Sequence, residues 1–385
     1  MPDARSETRR GALADVRVAD FSRVLAGPYA TMMLADFGAD VIKIEPPGGD
    51  DTRHWRPPVD SAGQATYFGS VNRGKRSVVL DLTTDAGRTE AQRLAATADV
   101  VVENFRPGVM DRFGLDYDSV RAANPGVVYC SITGFGAGRG AALAGYDLLV
   151  QAVGGLMSIT GDPDGDPAKA GVALVDVLCG LNAVSGILLA LRERDRTGAG
   201  QRVQVNLMHS LLSALTNQAA STLATGASPR RLGNAHPSIA PYAVFRAADR
   251  DLVIAVGNDR QLAAPVAELG MPQLAADARF ATNSDRVAHR AELTTALEGA
   301  LAAAPAASWV ERLSAVGVPA GLVNDVAEAI AFAQGLGLDP VVELAASRTI
   351  SSPISLDATP ARYGTPPPLL DADAGADWIR PKEQR

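Results

Sequence analysis

Residues 16–45 read VRVADFSRVLAGPYATMMLADFGADVIKIE, and this stretch decides the fold class. VRVADF (Val16 to Phe21) is a short apolar run without strict alternation, which reads as a strand buried on both faces. GPYATMMLADFGAD follows with the pattern of a helix, Pro28 near its start and Gly38 near its end. VIKIE (Val41 to Glu45) is a second strand, closed by Pro46-Pro47-Gly48-Gly49. Strand, helix and strand in so short a span make a βαβ unit, whose two strands pair in parallel.

Working outward, the pattern repeats. SVVLDL (Ser77 to Leu82) is a third strand, TDAGRTEAQRLAATA a helix opened by Thr84 and Asp85, ADVVVENF (Ala98 to Phe105) a fourth strand and GVVYCSITGF (Gly126 to Phe135) a fifth. The expected class is α/β, with a mostly parallel sheet covered on both faces. From Tyr146 to about Ala224 the pattern turns helical, interrupted by a short strand at Arg202 to Val205. Composition changes at Ser228 to Pro241, and YAVFRAADRDLVIAVGN then reads as a hairpin turning near Asp249-Arg250-Asp251. Ala-rich helices follow from Gln261 to about Val316. We expect a large domain from residues 1–225 and 321–385, and a smaller α+β domain from residues 226–320. The Pro-rich tail beyond Val326 is expected to lie on another unit rather than to form a core of its own.

The 385 residues are 47% hydrophobic and 21% charged, ordinary globular composition. The formal net charge of −7 sets a general nucleic-acid binder aside. Cys130 and Cys179 cannot build a disulfide framework, no CxxC is present, and four histidines make a His-rich metal site unexpected. The reading is a reduced, cytoplasmic protein without a metal. The N-terminal stretch has no apolar leader pattern. Ala170 to Leu191 (AGVALVDVLCGLNAVSGILLAL) is long enough to span a bilayer. It carries Asp176, an Asn, a Ser and three glycines, so a buried helix is preferred to a membrane span.

The common cofactor signatures are missing: no GxGxxG follows the first strand, and neither GxxxxGK[ST] nor GxSxG occurs. Open α/β sheets bind ligands beyond the C-terminal ends of their strands. Those ends carry Ser22 to Pro28, then Asn104-Phe105-Arg106-Pro107-Gly108, then Thr133-Gly134-Phe135-Gly136, with Arg112 one segment later. Asn72-Arg73-Gly74-Lys75-Arg76 adds three positive charges. The cluster suits an anionic, nucleotide-like ligand with a ring to stack, and it also suits ordinary loops with solvated basic residues. Asp176 sits early in the apolar helix. A carboxylate stripped of water is a usable nucleophile, and it is equally a buried Asp that fixes packing.

Taken together these segments resemble the class III CoA-transferases, the family that also holds formyl-CoA transferase, carnitine CoA-transferase and the α-methylacyl-CoA racemases. The resemblance rests on DFSRVLAGPYATMMLADFGADVIKIEPPGGDDTR, NRGKRSVVLDL, VVENFRPGVMDRFGLDYDSV, ITGFG, GYDLLVQAVGGLMSITG, GVALVDVLCGLNAVSGILLALRERDRTGAGQRV, GNAHPSIAPY and VGVPAGLVNDVAEA. They run in family order from about residue 13 to 370. The resemblance implies a Rossmann-like large domain built from both ends of the chain, a smaller domain between, and an interlocked homodimer. It implies coenzyme A, carried as an acyl-CoA, as co-substrate and a carboxylic acid as acceptor. It implies Asp176 as the catalytic nucleophile, working through an aspartyl anhydride and an aspartyl-CoA thioester. The CoA contacts it implies fall on Leu25, Ala26, Leu80, Asn104, Phe105, Arg106, Arg112, Thr133, Gly134, Phe135 and Gly136. Some members carry Gln at Leu25, a basic residue at Pro46 and Lys at Thr83 and Thr133, which leaves Lys75 or Arg76 to compensate. Members specific for oxalate carry a long Gly-rich loop in the small domain, and here only Gly233 to Tyr242 stands in its place. Racemases place His where Tyr146 stands, thirty residues before Asp176. A Tyr is a poor proton carrier at neutral pH, so transfer is preferred and 2-methylacyl-CoA racemisation is the alternative. Tyr146, His236 and Tyr242 are the expected acceptor contacts.

Overall fold

The computed structural model describes residues 11–345 and 347–379. Residues 1–10, part of the stretch read above for a leader, lie outside the described residues. The chain divides into two compact units. The larger holds the chain up to Leu156, Ala170–Ala227 and the chain from Asp339 onward; the smaller holds Met157–Lys169 and Ser228–Leu338.

The larger unit is built on six strands: β1 (Arg17–Asp20), β2 (Asp40–Glu45), β3 (Lys75–Val79), β4 (Val100–Glu103), β5 (Val128–Thr133) and β6 (Arg202–Asn206). All neighbouring pairs are parallel, in the order β3-β2-β1-β4-β5-β6. This is the Rossmann order, and it reverses direction between β1 and β4. β1 to β5 are almost wholly buried, which is why they read as apolar runs rather than alternating ones. α1 (Ala26–Asp36) and the 24-residue α7 (Leu174–Thr197) cover one face, packing Ala30, Met33, Cys179, Ala183 and Ile187 against Val18, Val41, Val102 and Cys130. α3 (Asp85–Thr97) and α4 (Tyr117–Ala123) cover the other, around Ile42, Val101, Leu94 and Tyr129. Short α2 (Thr66–Val71), α5 (Asp147–Val153), α6 (Leu156–Ile159), α8 (Leu207–Ala214) and α9 (Thr216–Thr225) complete the helices up to Thr225.

The smaller unit holds an antiparallel sheet of β7 (Tyr242–Arg246), β8 (Asp251–Ala255) and β9 (Ala320–Leu322). Helices α10 (Asp259–Glu268), α11 (Asn283–Ala288), α12 (Arg290–Leu301), α13 (Ala306–Ala315) and α14 (Val326–Gly335) accompany it. Its core is its own, centred on Phe245, Ile254, Leu297, Trp309 and Leu313. The hairpin turns where the sequence indicates, with Arg246 opposite Asp251. β9 carries the unit past residue 320, and Arg250 forks onto the Glu328 carboxylate at 2.8 and 2.9 Å, tying in α14. Met157–Lys169 joins through Arg231, which donates to the Asp162 carbonyl at 2.9 Å. Beyond Leu338 the tail forms one further hairpin, β10 (Val341–Leu344) with β11 (Ser347–Ile350), and Trp378 docks into the α3 side of the larger core.

α7 is, among the described residues, the one helix long and apolar enough to cross a membrane. One side of it is packed on the sheet, while Leu181, Leu188 and Leu189 are exposed on the other.

Candidate active site

The first amides of a helix have no acceptors within it, and Ala173, which precedes α7, has no side-chain oxygen to offer them. Asp147 fills that role from the first turn of α5. Its Oδ1 accepts the Val175 amide at 2.8 Å and the Asp176 amide at 3.3 Å. Its Oδ2 accepts Gln151 Nε2 at 2.6 Å, and Gln151 Oε1 accepts the Ala170 amide at 2.8 Å. Asp147 and Gln151 are four residues apart, on one face of α5. The carboxylate of Asp176 itself, half-buried, accepts no hydrogen bond from the described residues. Burial, and then the nearby charge of Asp147, push its pKa up to about 7. An acid group without hydrogen bonds, close to ionisation at neutral pH, makes Asp176 a candidate for chemistry.

The direction of α7 fixes where that carboxylate stands. Near the end of the helix, Arg194 Nη1 meets Asp99 Oδ1 at 3.0 Å, just before β4 begins. Near its start, Gly180 lies so close to α1 that a Cβ would fall 2.7 Å from the Ala26 carbonyl oxygen. Ala26 opens α1, directly after β1. α7 therefore runs from the C-terminal edge of the sheet to the N-terminal edge. Asp176, one turn before Gly180 and on the same face, stands at the C-terminal edge, over the start of α1. Tyr67 of α2 reaches the same place. Its pKa is raised by burial and then by the charges of Asp176, Asp147 and Asp50. Trp55 meets the Tyr67 ring edge-on at 4.9 Å, and the two line a cleft of about 600 Å³ with Arg56 and Ser70.

The residues expected to hold the nucleotide do different jobs in the fold. Phe105, Arg106, Thr133 and Gly136 line one cleft of about 380 Å³, together with Glu103 and Arg202. Arg106 and Arg112 are exposed, with no carboxylate partner among the described residues, so both are available to phosphate. The Phe105 ring lies 4.9 Å beneath the Arg23 guanidinium. Thr133 Oγ1 accepts the Gly136 amide at 3.1 Å, and Gly134 is pressed against Gly145, where a Cβ would fall 2.4 Å from Cα. The side chains of Leu25 and Ala26 are buried, Phe135 packs on the α1/α7 side of the core and Leu80 on the α3 side, leaving backbone as what the first two present. Asn104 spends both ends of its amide on Arg23, accepting from its N–H at 2.8 Å and donating to its carbonyl at 2.7 Å.

The basic run at residues 72–76 is not a phosphate patch. Arg73 is buried in a two-pronged pair with Asp36, at 2.8 and 2.7 Å. Arg76 pairs with Asp40 at 2.6 Å and donates to the Asp377 carbonyl at 2.8 Å. Lys75 is fully buried and donates to Asp20, Pro28 and Asn72 at 2.9 to 3.0 Å. These cations neutralise acids that the βαβ unit buries, so neither Lys75 nor Arg76 is free to compensate for missing phosphate ligands.

The expected acceptor contacts lie in different units. Tyr146 precedes α5 in the larger unit and is 69% exposed. His236 and Tyr242 belong to the smaller one, their rings 5.3 Å apart, with Nδ1 of His236 accepting the Ser238 amide at 3.1 Å.

The sequence description CoA-transferase family III matches residues 13–374. The chain belongs to that family. Succinate–glutarate CoA-transferase of Agrobacterium fabrum is 46% identical over 379 residues, covering 94% of each chain. Succinyl-CoA:glutarate CoA-transferase of Mus musculus is 41% identical, covering 93% of this chain and 84% of its own. A crystal structure of a CAIB/BAIF family protein from Brucella suis superposes with a TM-score of 0.87 at 44% identity, covering 94% of this chain and 97% of that one. The protein is thus an enzyme of the CoA-transferase class, using CoA thioesters as co-substrates.

For this CoA-transferase, reading the sequence singles out Asp176 and passes over the groups that set its state. Asp147 was legible only as the neighbour of Tyr146; the i, i+4 pair of Asp147 and buried Gln151 in DLLVQAV was the available signal. Tyr67 and Trp55 carry no local pattern, and only the folded chain brings them to the C-terminal edge of the sheet.

Proposed function

We propose that the enzyme moves CoA from an acyl-CoA to a free carboxylate, with Asp176 as the covalent nucleophile. An Asp176 oxygen attacks the thioester carbonyl carbon; the C–S bond breaks, and CoA leaves as thiolate with the electron pair. The thiolate then attacks the aspartyl carbonyl of the mixed anhydride, breaking its C–O bond and releasing the donor acid. An incoming carboxylate reverses the sequence: its oxygen displaces CoA from the aspartyl thioester, and the thiolate then takes the new acyl group and frees Asp176. No net proton is consumed. The energy of the thioester is held in covalent form throughout.

The observation that carries this reading is the unbonded Asp176 carboxylate at the C-terminal edge of the sheet, raised to about 7. The start of α1 supports it: the amides of Leu25, Ala26 and Gly27 have no acceptor among the described residues, and they are suited to an oxyanion on the attacked carbonyl. Phe105, Arg106, Arg112 and the Thr133 to Gly136 turn are the proposed CoA contacts, with Tyr67, Trp55 and Tyr146 on the acyl side. His236 and Tyr242 are proposed to select the acceptor from the facing subunit of an interlocked homodimer. The relatives' names point to dicarboxylic substrates, so succinyl-CoA with glutarate is the first pair to try.

The test is an exchange assay. Protein, succinyl-CoA and a panel of carboxylic acids are mixed, and new CoA esters are read by mass. The proposal expects a glutaryl-CoA product that Asp176→Ala abolishes. Unimpaired transfer by Asp176→Ala overturns the mechanism. Deuterium uptake at the α-carbon of a 2-methylacyl-CoA without exchange would place the enzyme with the racemases instead.

A further inference from the structure

The turn between β1 and α1 is strained, and side chains anchor most of its backbone groups. Val24 has φ +66°, in the left-handed region that a β-branched residue rarely enters. The backbone groups of Ser22 and Arg23 before it are tied by side chains. The Ser22 amide donates to Asp20 at 3.0 Å, and the Ser22 carbonyl accepts Lys43 Nζ at 2.8 Å. Asn104 takes both backbone groups of Arg23. The Val24 amide donates to the Asp50 carboxylate at 3.2 Å.

Lys43 and Asp50 are the centre of this arrangement. Both side chains are fully buried and 2.9 Å apart. Burial opposes both charges. Lys43 and the Thr52 amide and hydroxyl nevertheless bring Asp50 down to about 2, and Asp50, Asp20 and Glu45 keep Lys43 above its ordinary value. Asp50 is itself held by the Thr52 amide at 3.0 Å and the Thr52 hydroxyl at 2.7 Å. A buried ion pair adds little net stability compared with apolar side chains of the same shape, and fixing a conformation is one use such a pair can have. The conformation fixed here ends at Leu25, whose amide, with those of Ala26 and Gly27, is left without an acceptor among the described residues, where α1 meets α7 at Gly180.

We infer that Lys43 and Asp50 are positioning residues for transfer: they clamp the strained Val24 turn so that the amides opening α1 stay aimed at the carbonyl that Asp176 attacks. The inference rests on the nucleophilic role proposed for Asp176. Glycine meets no steric penalty at positive φ, so Val24→Gly removes the strain that the clamp resists.

The experiment is a double-mutant cycle of Asp50→Asn and Val24→Gly in the full-length enzyme. It is read by kcat, by KM for succinyl-CoA, and by the rate at which an Asp176-linked adduct accumulates. Asp50→Asn is expected to lower kcat and adduct formation about 10²-fold while KM moves less than about threefold. In the Val24→Gly background the same substitution is expected to cost less than about tenfold. Thr52→Val, which removes only a hydroxyl that orients Asp50, is the milder second variant, with a smaller loss that Val24→Gly again reduces. Equal losses in both backgrounds overturn the inference, as does a loss confined to KM or no loss from either variant. If the parent enzyme forms no adduct at Asp176, the nucleophile proposal fails. If the parent forms it and Asp50→Asn forms it as fast, only the positioning role fails.

Discussion

Asp176 is half-buried without gaining a hydrogen bond, and burial together with the nearby Asp147 charge sets its charge state. With a pKa of about 7, the carboxylate needed for attack is present in full only above neutrality. kcat/KM for the acyl-CoA donor should therefore show an acid limb, falling as pH drops through about 7. Asp147→Asn removes the second cause of the shift and leaves burial, the first, in place. A pH–rate profile of that variant should move the limb to lower pH without taking it to the ordinary 3.8. The same shift fixes a stability sign. Because the folded-state value lies above the unfolded one, protonation favours the native state. That contribution is complete below pH 3.8 and is lost as pH rises through about 7. Asp176→Asn should then raise the melting midpoint at pH 8, and raise it less at pH 5, while abolishing transfer. A midpoint that falls at pH 8 would contradict the assignment of an unbonded, desolvated carboxylate.

At the scale of elements, α7 is placed by a glycine. A Cβ at Gly180 would meet the Ala26 carbonyl oxygen at 2.7 Å and a Tyr29 ring carbon at 3.1 Å, and the first is backbone that cannot yield. Gly180→Ala should force α7 off α1 at roughly 1–3 kcal/mol, measured by denaturant unfolding. It should also lower kcat, because Asp176 moves with the helix. The strands were legible because burial on both faces leaves them apolar throughout, and their edges differ from the expected ones by only a few residues. The third strand starts two residues before the expected Ser77. Its extra residues are Lys75 and Arg76, cations whose partners, buried Asp20 and partly buried Asp40, lie far away in sequence. Local pattern reads such residues as solvent-facing, and long-range pairing decides otherwise.

Across the whole molecule, the mostly parallel sheet was within reach of the sequence, since βαβ units admit few arrangements. The charge interior was not. Asp20, Lys43, Asp50 and Lys75 are scattered over the first part of the chain, and no spacing rule joins them. The exposed apolar side of α7, with Leu181, Leu188 and Leu189, fits the homodimer proposed above. Light scattering should give twice the chain mass, and Leu189→Lys should shift the population toward monomer. A wild-type monomer that is fully active would remove the facing subunit from the proposal for acceptor choice.

The central claim is that Asp176 becomes covalently linked during turnover. The direct measurement is peptide mapping after incubation with succinyl-CoA and quenching with hydroxylamine, which captures an activated carboxyl as its hydroxamate. A hydroxamate is expected on Asp176, formed only with the thioester and discharged when glutarate is added before the quench. A fully active preparation in which Asp176 stays unmodified, or one in which another carboxylate carries the label, would contradict it.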